Sequence, residues 1–445
     1  MEKIRPTIIV GLGKTGMSCV RHLARQNYNL AVIDSRTNPP CLEELRRDFP
    51  QIPVFLGSFA AAVINEAKEI ILSPGVSLRE PAIVQAIARG VPVIGDIELF
   101  ARQTHAPIVA ITGSNGKSTV TTLVGEMAKN AGINVKVGGN LGMPVLDLLD
   151  DKADLYVLEL SSFQLETTPS LKTKAAVVLN VTEDHMDRYC SFDDYLFAKQ
   201  KIYHNCETAI INRDDQISYS GAKLPKKIIS FGLNPSQDSP LDFRIHDGYI
   251  NHANKNLLKI NELKIKGLHQ AANALAALAL GTAINLPETA MLKALREFSG
   301  LPHRCQWVAK IDNVDWYDDS KGTNVGASCA AIEGLGQETK GKIILIAGGL
   351  GKDADFTPLQ KPVKKYARAV ILIGKDAPKI EQALKDCSKI IYADSMENAV
   401  LIAKQTAQPN DAVLLSPACA SFDMFNNFEH RGDEFVKAVK KTIRS

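Results

Sequence analysis

Residues 112–119 carry the side chains best suited to chemistry, and they read Thr-Gly-Ser-Asn-Gly-Lys-Ser-Thr. The glycines allow backbone N–H groups to turn toward an anion, the lysine adds positive charge, and the serine hydroxyl can bind magnesium. An apolar run at 107–111 precedes this loop, which indicates a buried strand before it. Only two residues separate the glycines, against four in the common GxxxxGK(S/T) pattern. We expect a cradle for the phosphates of ATP or GTP; the alternative is a plain Gly-Ser turn ahead of a lysine.

Two further polar segments follow predicted strands of the same region. Glu159 comes directly after the apolar run 155–158, and His185 follows the run 175–179 within an acidic segment. In open α/β sheets, ligands bind at the carboxyl ends of the strands. Glu159 is therefore a candidate magnesium ligand, and His185 is a candidate for a second metal site. For His185 the alternative is a solvated loop residue.

A dense polar loop at 318–324 reads Asp-Asp-Ser-Lys-Gly-Thr-Asn. Its lysine, Lys321, could reach across a cleft between domains to a substrate carboxylate or an acyl phosphate. The alternative is a capped helix start. Metal-binding groups and cations beside a phosphate cradle suit phosphoryl transfer, because charge develops on the γ-phosphate and must be neutralised. The chemistry of these residues leaves the phosphate acceptor open.

The amino-terminal region has a Rossmann-type beginning. A strand pattern at 7–10 leads into Gly-Leu-Gly-Lys-Thr-Gly at 11–16, and Asp34 follows the next predicted strand, 30–33. A carboxylate near that spacing can meet a ribose hydroxyl, so NAD, FAD or a UDP-sugar would fit. Alternatively, the glycines only permit tight packing of a helix on a strand.

The elements that position these residues alternate between strand and helix through three regions, which predicts an α/β fold of three domains. We place a Rossmann-like domain at 1–95, a central P-loop ATPase-type domain at 96–300 and a Rossmann-like carboxyl-terminal domain at 301–445. An alanine-rich helix at 270–284 belongs to the central core, because it is too short to span a bilayer.

Composition argues against several classes of protein. The net charge is only +3 and the basic residues are scattered, so we expect no nucleic-acid partner. The eight cysteines include no CxxC pair, which favours reduced thiols over disulfides or structural zinc. No stretch approaches the ~18 apolar residues of a membrane span, so we expect a cytoplasmic protein without stable membrane insertion.

Several motifs together carry a wider resemblance. They are 112–119, 159–166, 180–187, Leu301-Pro-His-Arg304, Asp319-Ser-Lys321 and 415–421. In this order they resemble the Mur ligases of peptidoglycan synthesis over essentially the whole chain, and most of all the members that add D-glutamate. The resemblance implies that ATP phosphorylates the alanyl carboxylate of UDP-MurNAc-L-Ala, and that the amine of D-glutamate attacks the acyl phosphate to give a tetrahedral intermediate. It also implies two Mg²⁺ sites, which Mn²⁺ can occupy as well, and a monomer.

The resemblance assigns residues to each ligand. For ATP it implies Gly113, Ser114, Asn115, Gly116, Lys117, Ser118, Thr119, Gln270, Asn273, Arg304 and Asp319. For the metals it implies Ser118, Glu159, His185 and Lys199, with Lys199 as a carbamate. For the UDP-substrate it implies Lys14, Thr15, Asp34, Ser35, Arg36, Ser73, Gly75, Asn140 and His185. For D-glutamate it implies His303, Lys321, Thr323, Lys352, Ser421, Phe422 and Phe428. Catalysis would depend on Lys117, Glu159, His185, Lys199 and Lys321.

Two positions depart from the family pattern. Gln270 stands where an asparagine is expected, and Gly322 stands where an alanine is expected and should free the backbone locally. Three other functions remain open, and the first is another ATP-dependent amino-acid ligase of the Mur type. An NAD-dependent oxidoreductase would use 11–16 and Asp34 but leaves the second nucleotide loop unexplained. A nonenzymatic nucleotide switch, in which ATP only moves the domains, leaves the loop at 319–324 without a role.

Overall fold

The computed structural model describes residues 5–233, 242–253, 255–265 and 267–444. The first region contains, in chain order, β1 (Thr7–Val10), α1 (Lys14–Arg25), β2 (Leu30–Asp34), α2 (Leu42–Asp48), β3 (Val54–Leu56), α3 (Ala61–Ile64), β4 (Glu69–Leu72), α4 (Pro81–Ala88) and β5 (Val93–Ile94). Its strands form a parallel sheet in the order β3-β2-β1-β4-β5. Residues of β1 and β2 are buried along their whole length, which explains why they read as continuous apolar runs.

The central region holds the largest sheet. Its elements are α5 (Asp96–Ala101), β6 (Ile108–Thr112), α6 (Lys117–Asn130), β7 (Val135–Gly139), β8 (Leu155–Glu159), α7 (Ser162–Glu166), β9 (Thr173–Val178), α8 (Phe192–Gln200), β10 (Cys206–Asn212), β11 (Lys227–Gly232), β12 (Phe243–His246), β13 (Tyr249–His252), β14 (Lys255–Lys259), α9 (Leu268–Ala283) and α10 (Glu288–Glu297). The strand order is β14-β13-β12-β11-β10-β9-β6-β8-β7, with antiparallel pairing only from β12 to β14 in the described residues. Because β6 lies between β8 and β9, the nucleotide loop, Glu159 and the segment after β9 meet at one edge.

The third region is a separate α/β layer. It contains β15 (Gln306–Ile311), β16 (Val314–Asp318), α11 (Val325–Glu338), β17 (Ile343–Gly348), α12 (Gln360–Tyr366), β18 (Ala367–Ile373), α13 (Ala377–Leu384), β19 (Lys389–Tyr392), α14 (Met396–Thr406), β20 (Ala412–Leu415) and α15 (Phe428–Arg444). The order is β15-β16-β20-β17-β18-β19, and β15 pairs with β16 in antiparallel fashion. Alternate residues of β17 enter two separate cores, with Ile343 and Leu345 on one face and Ile344 and Ile346 on the other.

The first two regions share one hydrophobic core, whereas the two cores of the third region are separate from it. Ile9 and Val32 of the first sheet belong to the same buried cluster as Phe100 and Tyr156 of the central region. The third region instead meets the central one through the polar groups described below. The predicted three-part α/β architecture is confirmed. In the part of the chain that the structure describes, no helix is both long and apolar enough to cross a bilayer.

Candidate active site

The loop between β6 and α6 contains two glycines in backbone conformations that favour glycine. Gly113 and Gly116 have φ values of +147° and +83°, conformations that other residues rarely adopt. The helix α6 begins at Lys117 immediately afterwards, so its positive end faces the loop. The Lys117 ammonium donates to the carbonyl oxygens of Gly113 at 2.8 Å and Ser114 at 2.9 Å. The loop thus combines the geometry and the charge of a phosphate-binding site.

Glu159 presents a carboxylate oxygen that fits a cation. Its Oε1 accepts a hydrogen bond from Asn140 Nδ2 at 2.6 Å, whereas its Oε2 is buried without a hydrogen-bond partner among the described groups. An orphaned carboxylate oxygen in a buried site is what a magnesium ion would satisfy. No cluster of three or more His, Cys, Asp or Glu side chains suits a metal in the described ranges. Other donors, such as the Ser118 hydroxyl and phosphate oxygens, would have to complete the coordination.

Lys199 lies at the nucleotide loop, and the neighbouring Lys201 does not. The buried Lys199 Nζ donates to the Gly113 carbonyl at 2.9 Å and lies 4.6 Å from the centre of the Tyr195 ring. Burial, and then the nearby Lys117 charge, hold the pKa of Lys199 well below its usual value. Lys201 is exposed, and its Nζ contacts only the carbonyl of Glu166 at 3.4 Å among the contacts found in the described residues.

Tyr195 was not among the predicted site residues. The Tyr195 hydroxyl lies 3.0 Å from Ser114 Oγ. The Ser114 hydroxyl in turn donates to the Thr182 carbonyl at 2.9 Å. Burial raises the pKa of the Tyr195 phenol, so it stays protonated. Tyr195 therefore ties α8 to the nucleotide loop beside Lys199.

The segment after β9 places His185 next to a largely shielded ion pair. His185 has a φ of +58°, and its ring meets Phe163 edge-on at a centroid distance of 5.1 Å. Burial lowers its pKa to about 4, which leaves the imidazole neutral and able to bind a metal. The preceding Asp184 binds Lys352 Nζ through Oδ1 at 3.0 Å. Burial opposes charge on Asp184, but the nearby positive groups, Lys352 first among them, together keep the pKa of this carboxyl below its usual range.

Side chains of the third region reach the nucleotide loop directly. Arg304 Nη2 donates to Ser118 Oγ at 2.7 Å, and Asn324 Nδ2 donates to Asn115 Oδ1 at 3.2 Å. Asn324 also caps α11, because its Oδ1 accepts from the backbone of Ala327 at 2.8 Å. The loop at 318–324 is thus both a capped helix start and part of the site.

Lys321 is held between aromatic and cationic groups. Its ammonium lies 3.7 Å from the centre of the Phe428 ring. Burial lowers its pKa to about 8, and the charges of Arg304 and Lys117 act in the same direction. Several cations therefore converge here, as binding of a polyphosphate requires.

Gly322 is needed for space more than for backbone freedom. Its φ lies outside the left-handed region, and a Cβ atom there would come within 2.6 Å of Asp319 Oδ2 and 2.7 Å of Ser416 Oγ. Ser416 Oγ donates to that same carboxylate at 2.7 Å. Burial raises the pKa of Asp319 to about 7, and the hydrogen bond from Ser416 opposes this shift. The structure therefore explains Gly322 by the lack of space for a side chain, and not by the backbone freedom that we expected.

Arg431 is a second group that sequence reasoning missed. This fully buried residue of α15 donates from Nε to Ser320 Oγ at 2.9 Å, from Nη2 to the Ser320 carbonyl at 2.8 Å and from Nη1 to the Cys419 carbonyl at 3.1 Å. It therefore joins the loop that carries Lys321 to the loop after β20. The sequence gives no signal for this role of Arg431. An arginine in an amphipathic helix is normally expected on the exposed face, and its residue type does not reveal that it is buried.

Most of the predicted ATP residues surround one cavity. It has a volume of about 250 Å³ and is lined by Asn115, Gly116, Thr119, Gln270, Asn273, Arg304, Asp319 and Lys321. Gln270, the longer amide, accepts a hydrogen bond from Asn273 Nδ2 at 3.1 Å through its Oε1. Gln270, which stands where the family pattern has asparagine, is thus held in the cavity wall by its hydrogen bond with Asn273.

Eight of the nine predicted UDP-substrate residues line a second cavity of about 740 Å³, whereas His185 lines the small cavity beside Lys352 instead. The second cavity is lined by Lys14, Thr15, Asp34, Ser35, Arg36, Ser73, Gly75 and Asn140. Asp34 uses both oxygens internally, since it accepts from the Leu12 backbone at 2.7 Å and from Arg36 Nε at 2.8 Å and Nη2 at 2.7 Å. Both oxygens are thus already engaged, which disfavours a ribose contact of the NAD type, and Arg36 offers a cation to a phosphate instead.

The structure does not bring all the predicted D-glutamate residues into one cavity. Thr323 and Lys352 line a small cavity beside Asp184 and His185. Ser421, Phe422 and Phe428 are not among the described residues that line it. Phe422 is 70% exposed, whereas Phe428 contacts Lys321 and meets His303 edge-on.

His303 gives the third region a pH-dependent ion pair. Its Nδ1 lies 2.7 Å from Oδ2 of the buried Asp318, and this hydrogen bond raises the pKa of His303. The pair therefore stabilises the fold fully below the unfolded pKa of about 6.5, and the contribution is lost as the pH rises through the raised folded pKa.

We expect His303→Gln to lower the melting temperature more at about pH 6 than at about pH 9. Calorimetry on both variants, with exposed His204→Gln as the control, checks this; an equal loss at both pH values would contradict it.

Three family models match the chain in sequence order. A model described as Mur ligase MurD-like, N-terminal domain matches residues 5–95, the Mur ligase middle domain matches residues 111–281, and the Mur ligase glutamate ligase domain matches residues 303–419. These matches fall on the three sheets and cover most of the chain.

Relatives are similar over nearly their whole length. The UDP-N-acetylmuramoylalanine–D-glutamate ligase of Coxiella burnetii (strain RSA 331 / Henzerling II) is 55% identical over 434 residues, which make up 98% of this chain and 98% of that protein. The Pseudomonas putida protein of the same name is 54% identical over 434 residues, with 97% and 96% covered. Among solved structures, the MurF ligase of Thermotoga maritima in complex with ADP superposes with a TM-score of 0.62 at 17% identity, covering 99% of this chain and 97% of that one. That structural match supports the fold.

Proposed function

This chain belongs to the Mur ligase family, and we propose that it joins D-glutamate to UDP-N-acetylmuramoyl-L-alanine with ATP as the energy source. The observation that carries the proposal is the link between the cavity of the first region and the nucleotide loop, which the hydrogen bond from Asn140 to Glu159 makes. Asn140 lines the cavity of the first region and hydrogen-bonds the carboxylate at the end of β8, beside the nucleotide loop. A substrate bound by its UDP group in the first cavity would thus present its far carboxylate to the nucleotide.

The residues of the chain divide the work of phosphoryl and acyl transfer. Lys117 and the loop backbone bind the phosphates, and Arg304 and Lys321 approach from the third region to stabilise the charge that develops during transfer. A carboxylate is a poor electrophile until one oxygen becomes a good leaving group, which phosphorylation provides. The amine of D-glutamate would then attack the acyl phosphate and displace phosphate. Closing three regions around the reactants excludes water, which would otherwise hydrolyse the acyl phosphate.

Magnesium is a component of this proposal. The Ser118 hydroxyl, Glu159 and a carbamate on Lys199 would hold it near the phosphates, and His185 would serve a second ion, with manganese as an alternative metal. When bound, the metal supplies a Lewis acid that neutralises phosphate charge. Burial suits Lys199 to a carbamate, because it favours the neutral amine that reacts with CO₂. The carbamate would place an anion where the lysine otherwise offers an amine, and a metal can bind that anion.

A different catalytic class is less well supported. An NAD-dependent oxidoreductase requires a free acidic residue at the end of β2, but Asp34 is already bound by Leu12 and Arg36. It would also give the nucleotide loop of the central region no role. We further propose, from the family, that the enzyme acts as a monomer in the cytoplasm.

Phosphate release tests the function directly. Purified protein is supplied with ATP, Mg²⁺ and UDP-MurNAc-L-Ala, and D-glutamate is compared with L-glutamate, meso-diaminopimelate and L-lysine. Release with D-glutamate alone is the expected result. Release with another amino acid would keep the mechanism and change the substrate, whereas no release with any of them would overturn the proposal.

A further inference from the structure

An ion pair between two residues of the protein occupies the candidate amino-acid site. Lys352 Nζ, the cation assigned to a substrate carboxylate, lies 3.0 Å from Asp184 Oδ1. The two residues are 168 positions apart, one in the central region and one in the third. Both side chains are largely shielded, at 22% and 11% exposed. The cation expected to bind substrate therefore already has a carboxylate partner.

The space around this pair is too small for an amino acid. The cavity lined by Asp184, His185, Thr323 and Lys352 has a volume of about 10 Å³, at the lower limit for a single water molecule. An amino acid can reach Lys352 only if Asp184 gives way or the third region withdraws.

The backbone at the contact is also held in an uncommon conformation. His185, Lys352 and Asp353 have φ values of +58°, +51° and +55°. Left-handed backbone is uncommon in residues other than glycine, and it is found in turns and at ligand-binding sites. Asp184 Oδ2 in addition accepts from Asn324 Nδ2 at 3.3 Å, so this one carboxylate joins two elements of the third region.

We propose that the Asp184 carboxylate is an internal stand-in for the substrate carboxylate on Lys352, and that the incoming amino acid binds by exchanging partners with this pair. The carboxylate of the substrate takes Lys352, and its ammonium takes the released Asp184. This inference rests on the proposed function and adds a positioning residue to it. One internal ion pair is replaced by two pairs to the ligand, so neither Lys352 nor Asp184 is left without a partner of opposite charge.

The exchange makes a prediction about ligands that lack the amine. Glutarate has the two carboxylates of D-glutamate but no ammonium, so it must displace Asp184 without offering a new partner. In the wild type it should therefore bind far more weakly than D-glutamate. Asp184→Asn removes the competing carboxylate, and we expect glutarate to bind about tenfold more tightly to this variant. D-glutamate should bind more weakly to it, because its ammonium loses a partner.

The experiment measures both dissociation constants by calorimetry on the full chain with a nonhydrolysable ATP analogue and UDP-MurNAc-L-Ala bound. The opposite shifts of glutarate and D-glutamate are the signature, since a merely structural role would move both in one direction. Asp184→Glu should restore part of the wild-type preference, and the exposed Asp187→Asn should leave both constants unchanged. Equal-direction shifts, or an unchanged constant for glutarate, would overturn the inference. Wild-type phosphate release with D-glutamate is measured separately, so failure of the proposed function is seen independently.

Discussion

Replacing Lys117 by alanine is expected to lower D-glutamate-dependent phosphate release by at least about 10³-fold. Lys117 begins α6 and lies over the Gly113 and Ser114 carbonyls, so its ammonium sits where the phosphates of ATP must bind. Burial lowers its pKa and so opposes its charge, which means that the ammonium gains most when an anion arrives. Alanine leaves the loop backbone in place but removes the cation that the loop itself carries, and Arg304 and Lys321 approach from the third region and do not replace it there.

The measurement is the initial rate of phosphate release at saturating substrates. Lys129→Ala is the matched control, because Lys129 lies in the last turn of the same helix, more than half exposed and paired with Glu126. It should retain wild-type activity. A Lys117→Ala enzyme with more than about a tenth of the wild-type rate would mean that the loop does not hold the transferred phosphate.

The parts of the site that lie at strand ends could be predicted from sequence. Glu159 and His185 follow buried apolar runs, and parallel strands bring their carboxyl ends to one edge. The short strands β3 and β7 could not be predicted as easily. β3 has only three residues, and β7 ends in two glycines that a strand pattern normally lacks.

Contacts between distant segments were beyond sequence reasoning. Tyr195 meets Ser114 across 81 positions, and Arg431 meets Ser320 across 111. Neither residue lies in a motif with its partner, and a tyrosine or arginine on a helix is usually partly exposed. Such pairs depend on how whole elements pack, which spacing along the chain does not encode.

The choice between Lys199 and Lys201 shows the same limit. Both lie in one short segment, and their chemistry is identical. The resemblance favoured Lys199, and the structure shows how the two lysines differ. Lys199 lies in the last turn of α8 and is buried, whereas Lys201 follows the end of the helix and is exposed. The orientation of α8 separates the two lysines, and it depends on how Tyr195 and Leu196 pack in the core shared by the first two regions.

Lys199→Ala is expected to lower phosphate release by about 10²- to 10³-fold, and acetate should restore part of the lost activity. The substitution removes the whole side chain from a buried place next to Gly113 and leaves room for a small carboxylate. If the working group is a carbamate, acetate supplies the missing anion. If it is the amine, methylammonium should rescue instead.

Rates are therefore compared with acetate, methylammonium or neither, at constant ionic strength. Lys201→Ala is the control and should be active without additions, because that lysine is exposed and far less constrained. Rescue by methylammonium, or full activity of Lys199→Ala, would exclude the carbamate. Rescue by acetate alone would explain why a lysine is buried beside Lys117, where two ammonium groups would repel each other: the carbamate turns that repulsion into an attraction.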